Sequence, residues 1–146
     1  MTPTNRVLAL LGHGARDPAW ADALLAVRAK IHARDPACRV ELAFLEHLPP
    51  TLETLLAALK DEGGIAHVLV LPMFIASGGH LKRDLPTRIA RLQAQFPQIQ
   101  IELTAAIGLS DTVQEAMSKA ALHAFTPLPP SRTPDRQIKR QATGNR

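Results

Sequence analysis

The sequence predicts an α/β fold with a mostly parallel four-stranded sheet, and three observations carry that prediction. Short apolar runs that suit strands covered on both faces recur along the chain. Between them lie segments whose apolar residues repeat at helical spacing. The 146 residues are enough to bury roughly 68–70% of the unfolded surface in one core, without disulfides or structural metal.

The elements follow in order. RVLALLG, residues 6–12, is a continuous apolar run ending at glycine and is the first strand. Asp17 is placed to cap the next helix, with Pro18 at its first position and Trp20, Leu24, Val27 and Ile31 along one face before Pro36 ends it. Val40 to Leu45 reads as the second strand. Pro49 and Pro50 then open a helix striped by Leu52, Leu55, Leu56 and Leu59 and stopped by Gly63 and Gly64. HVLVLPMF, residues 67–74, is the third strand. Asp84 is placed to cap a helix near residue 84, with Pro86 in its first turn and Leu85, Ile89, Leu92 and Phe96 on one face. That leaves His80 in the preceding loop. Residues 99–105 alternate as a fourth strand, and Ser110 caps a last helix with Val113, Met117 and Leu122 or Ala121 turned inward. Strands alternating with helices imply right-handed crossovers, and the expected order is 2-1-3-4, as in flavodoxin-like three-layer folds.

Charge divides the chain. The net charge is +4, but the whole excess lies in residues 126–146, where Arg132, Arg136, Lys139, Arg140 and Arg146 face the single acid Asp135. Residues 1–125 are neutral and form the expected folded domain. The remainder, rich in proline and poor in large apolar residues, reads as a disordered basic tail. It lacks the aromatic residues that stack on bases, so no nucleic-acid partner is expected. No apolar run is long enough to cross a bilayer, and the opening MTPTNR lacks a secretory pattern. With Cys38 alone no internal disulfide forms, and the cytoplasm is the expected compartment.

In an open parallel sheet ligands bind beyond the carboxyl ends of the strands where the order reverses, here between strands one and three. The two loops at that point are GHGARD, residues 12–17, and ASGGHLKRD, residues 76–84. Each sets a histidine, His13 or His80, among glycines that let a ligand approach closely. The loop after strand two, FLEHLPP, brings Glu46 and His47 to the same edge. Two imidazoles and a carboxylate form a ligand set for a borderline divalent ion with open positions. The same histidines serve equally as loop residues hydrogen-bonded to backbone. His32, His67 and His123 read as structural, and Cys38 has no histidine implied beside it.

Two absences narrow the chemistry. Neither GxxxxGK[ST] nor GxGxxG occurs, which excludes a Walker-type nucleotide site and a dinucleotide fingerprint. LLGHGARD resembles the LxRHG strand end of histidine phosphatases, but Gly12 replaces the phosphate-holding arginine.

Together, LLGHGARDP, AFLEHLPPTL, VLVLPMFIASGGHLKRDLP and AAIGLSD resemble the class II chelatases, the short sirohydrochlorin chelatases of the cobalamin and siroheme pathways. The likeness runs over residues 5–125. It implies insertion of Co2+ or Fe2+, and in some relatives Ni2+, into a tetrapyrrole without ATP; the metal is then substrate, and no cofactor is permanently bound. It also implies that His13 and His80 handle the metal and that Glu46 fills the acidic position after strand two. Ala15 stands where the family commonly has serine. In that chemistry two pyrrole N–H protons leave as the metal enters, so imidazoles ligate and accept protons while a carboxylate balances charge. Arg16, Lys82 and Arg83 would receive the carboxylates of the macrocycle, or else be plain solvated charges. Asp84 would orient His80, or else cap its helix. A single four-stranded unit leaves its cleft open on one side, so a homodimer is expected. A non-catalytic metal or tetrapyrrole carrier is the main rival reading, and a phosphate-binding or phosphatase domain the third.

Overall fold

The structure, a computed structural model, describes residues 5–126. Eight main elements alternate: β1 (Arg6–Gly12), α1 (Asp22–Arg34), β2 (Val40–Phe44), α2 (Leu52–Glu62), β3 (His67–Pro72), α3 (Gly79–Gln95), β4 (Gln100–Leu103) and α4 (Asp111–Ala124). The strands form one sheet in the order β2-β1-β3-β4, and every pairing is parallel. The expected α/β fold and strand order are therefore the observed ones. Of the expected tail, residues 127–146 lie outside the described residues.

Side chains alternate across a strand, so the register assigns each face. Val7, Ala9 and Leu11 of β1 share a face with Ala43, Val68, Val70 and Ile101. Onto it pack Leu52, Leu55, Leu56 and Leu59 of α2 and Leu85, Ile89 and Leu92 of α3, followed by Phe96, all buried in one cluster. Each such side chain contributes roughly 1.5–3 kcal/mol by leaving water. Thr51 caps α2 by accepting from the Thr54 backbone N–H, and Gly63 stops it at φ +76°.

The opposite face is covered unevenly. Leu24 of α1 closes on Gly12 and Phe44 so tightly that a Cβ on Gly12 would stand 2.9 Å from the Phe44 ring. Toward β3, Leu8, Leu69 and Leu71 on this face are only half-buried.

Three helix readings need correction. Pro18–Ala21 is a 3₁₀ turn, capped by Asp17 accepting from Ala19 N–H, and α1 starts only at Asp22. The tighter turn changes the phase of the stripe, and Trp20 is 69% exposed instead of inward. Helix α3 starts at Gly79, five residues before the expected start, so His80 lies in its first turn, Asp84 is interior and caps nothing, and Pro86 sits inside the helix. The proline removes only the bond to the Lys82 carbonyl. Finally, α4 buries none of its residues, Ser110 makes no side-chain cap, and Met117 and Leu122 are exposed.

Candidate metal centre at the carboxyl edge of the sheet

The backbone pairing of β1 continues past its last residue and builds the site. Leu45 N–H donates to Gly12 O at 3.0 Å, Glu46 N–H to His13 O at 3.2 Å, and Met73 N–H to Leu11 O at 2.9 Å. His13 is thereby held between the continuations of β2 and β3, where the strand order reverses. Its Nε2 lies 3.5 Å from Glu46 Oε1. On the other side its ring meets Phe74 edge-on, with centroids 6.2 Å apart and planes at 72°. The sequence had Phe74 only as part of a strand; an aromatic beside a strand-end histidine is the signal that could have marked it.

Gly14 makes this closeness possible. Its φ is +91°, and a Cβ there would lie 1.8 Å from the Glu46 carbonyl oxygen. Gly108 does the same behind β3: its N–H donates to Phe74 O at 2.9 Å, and a Cβ would meet Ile75 O at 2.1 Å. The GHG and AIGL segments are thus tied to the loops that carry Glu46 and Phe74.

The loop after β2 is anchored from α3. Arg88 donates to both oxygens of Glu53, at 2.9 and 2.6 Å, and more loosely to the Leu45 carbonyl at 3.4 Å. These bonds hold the Glu53 carboxyl below the usual carboxylate range, with partial burial opposing them. Arg88 therefore ties α2, α3 and the residue before Glu46 into one frame.

A second imidazole reaches the same carboxylate. His47 Nε2 stands 3.5 Å from Glu46 Oε1, and His47 has φ +65°, the one left-handed non-glycine among the described residues. His80 is exposed, and among the described residues its side chain makes no hydrogen bond or ion pair. The structure thus pairs His13 with Glu46, and His80 enters no hydrogen bond or ion pair with them among the described residues. Asp84 makes no bond to His80. Arg16, Lys82 and Arg83 are exposed, and their side chains form no ion pair among the described residues. His67 lies at the opposite edge, 3.1 Å from Glu102 and accepting from Arg6 Nε at 3.2 Å, a structural arrangement.

Among the described residues no three histidine, cysteine or acidic side chains already surround one ion-sized point, and no helix is long and apolar enough to cross a membrane. What the edge offers is imidazole and carboxylate side chains, more than half exposed at His13 and Glu46, on a rigid parallel sheet. That defines an α/β protein with exposed imidazole and carboxylate side chains gathered where the strand order reverses. Residues 7–124 match CbiX, and the chain belongs to the CbiX family.

Relatives agree. The chain is 28% identical to the sirohydrochlorin ferrochelatase of Bacillus subtilis strain 168, over 96% of this chain and 56% of that one. A CbiX protein from Marinobacter aquaeolei VT8 superposes with a TM-score of 0.72 at 26% identity, covering 82% of this chain and 97% of that one. The sirohydrochlorin chelatase SirB from Bacillus subtilis subspecies spizizenii, in complex with cobalt, gives a TM-score of 0.65 at 30% identity over 82% of this chain and 49% of that one. The chain spans about half the length of the first curated relatives it matches.

Proposed function

We propose that this chain inserts a divalent metal, Co2+ or Fe2+, into sirohydrochlorin without ATP. The observation that carries the reading is the His13–Glu46 pair at the strand-switch edge, 3.5 Å apart, in a chain matched to CbiX over residues 7–124. Relatives named as ferrochelatase and cobaltochelatase support it, as does the cobalt complex of SirB.

In this reading the metal is a substrate and the chain holds no permanent cofactor. His13 takes the ion, His80 meets it from the first turn of α3, and Glu46 offsets its charge. As the ion enters the macrocycle two pyrrole N–H bonds break, and the two protons pass to the imidazoles and then to solvent. Arg16, Lys82 and Arg83, whose side chains form no ion pair among the described residues, receive the macrocycle's carboxylates. Phe74 keeps the His13 ring from turning away. A rigid frame of this kind lowers the barrier chiefly by orientation.

The working form is a homodimer. Supporting it are the uncovered apolar residues of α4, Met117, Leu122 and the following Phe125, and the half-covered sheet face at Leu8 and Leu69, which lines a cavity of about 310 Å³. The lone half-buried thiol, Cys38, fits a reducing cytoplasm.

A multiple-turnover assay with excess sirohydrochlorin and metal, free of ATP, tests the reading. A chelatase converts many equivalents per chain; a carrier stops at one.

A further inference from the structure

We infer that Arg88 is a positioning residue for metal insertion, acting on Glu46 and His13 through the peptide group that joins Leu45 to Glu46. The inference rests on the metal-insertion reading of this edge, and it gives a part in the reaction to a side chain of α3 that meets neither ion nor macrocycle. That peptide is held from both sides. Its carbonyl, Leu45 O, accepts from Arg88 Nη1 at 3.4 Å, and its N–H, on Glu46, donates to His13 O at 3.2 Å. A trans peptide keeps these two groups in one plane with the Glu46 Cα and points them apart. Holding both ends fixes the plane, and with it the direction in which the Glu46 side chain leaves toward His13 Nε2, 3.5 Å from its Oε1.

The contact to Leu45 O is longer than the usual 2.7–3.2 Å or so, but its donor carries a full charge on a side chain only 23% exposed, where water screens it less than at the open surface. The guanidinium is a rigid planar fork. Its Nε and Nη2 are spent on the Glu53 carboxylate, at 2.9 and 2.6 Å, and that grip aims the third nitrogen at the carbonyl. A charged donor there also polarises the peptide and strengthens the bond that its N–H makes to His13. A plain ion pair between α2 and α3 does not need this third bond. Arg91 also reaches Glu53, at 3.2 Å, so the carboxylate keeps a cation if Arg88 is lost, whereas the peptide loses its charged donor. Arg88 and His80 share α3, about 12 Å apart along its axis. The same clamp therefore sets the helix that carries His80 against the loop that carries Glu46.

The test compares the full chain with Arg88→Met, which keeps the length of the side chain and removes its donors, with Arg88→Lys, and with Arg39→Met. Arg39 grips Glu41 and Glu62 in a similar clamp but stands before β2, at the opposite edge of the sheet. Each protein is measured for Tm, for kcat and KM of Co2+ insertion into sirohydrochlorin, and, without metal or tetrapyrrole, for hydrogen exchange at the Glu46 amide. The Met73 amide, which pairs with Leu11 O, is the internal reference. Arg88→Met should lower kcat about tenfold, a fraction of the hundredfold that a full 1 Å misplacement costs, with KM for sirohydrochlorin unchanged and Glu46 exchange accelerated relative to Met73. In Arg88→Lys one ammonium pairs with Glu53 but cannot fork to the carbonyl as well, so Tm should stay near the parent while kcat stays low. Arg39→Met should lose Tm and keep the parent kcat and Glu46 exchange. A parent kcat in Arg88→Met, unchanged relative exchange at Glu46, or a kcat that simply follows Tm through the three variants overturns the inference. Should Arg88→Met fail to fold, Arg88→Lys decides by the same criteria. Faster Glu46 exchange in the variant with no insertion by the parent keeps the coupling and removes the metal-insertion reading; insertion by the parent with unchanged exchange in the variant does the reverse.

Discussion

Gly14→Ala isolates what the close approach of two loops contributes to the site. Alanine at φ +91° carries the strain of a left-handed backbone, about 1–3 kcal/mol. Its Cβ would also stand 1.8 Å from the Glu46 carbonyl oxygen, so one loop must retreat by about 1.2 Å to reach even 3.0 Å. That shift falls directly on the His13–Glu46 pair, and a misplacement of about 1 Å costs on the order of a hundredfold in rate. Gly63→Ala supplies the comparison, because it has φ +76° but nothing within 4 Å of its Cβ position. Both variants should lose stability, at about 4 °C in Tm per kcal/mol, with Gly14→Ala losing more. Only Gly14→Ala should lose metal insertion, by about two orders of magnitude. Paired thermal melts and insertion rates read both effects. Equal Tm losses with parent rates in both variants would refute the claim that this contact builds the site.

Further expectations concern other parts of the molecule. His80→Ala should insert metal far more slowly than the parent while circular dichroism stays unchanged, since His80 is exposed and supports no packing; a parent rate would remove it from the mechanism. Arg88 holds the Glu53 carboxyl low, so folding is favoured above the ordinary carboxylate pKa of about 4.3 and that gain is lost as pH falls through the lower folded value. Urea unfolding should therefore show about 1 kcal/mol less loss of stability between pH 6 and pH 3 in Glu53→Gln than in the parent, and parallel curves would contradict this. Leu122→Asp on α4 should shift the sedimenting species from dimer toward monomer; an unchanged species would move the interface elsewhere. Removing residues 127–146 should leave Tm and insertion rate unchanged, because the matched region ends at residue 124.

Much of the fold could be read from the residues because each strand is a local pattern. RVLALLG reproduces β1 and HVLVLPMF contains β3, which ends two residues earlier at Pro72, and the order followed from alternation of elements. What failed was phase and partner. Trp20 fits a helical stripe in sequence, but the 3₁₀ turn has three residues per turn and rotates it outward. The start of α3 was missed because Pro86 resembles a first-turn residue and Gly78 offers no capping side chain. In α4 the stripe is real, but a stripe cannot say which surface covers it. His13, His80 and Glu46 were assigned to one edge by topology, and the distance between His13 and Glu46 followed from Gly14. His47 was visible as a neighbour of Glu46, but its convergence depends on a positive φ that no residue type dictates.

The most direct measurement is the initial rate of metallosirohydrochlorin formation, followed anaerobically by absorbance with Co2+ or Fe2+, for the parent chain, His13→Ala and no protein. The parent chain should accelerate formation far above the uncatalysed rate, and His13→Ala should return it to near that background. A parent chain at the background rate, or His13→Ala at the parent rate, would contradict metal insertion at this edge.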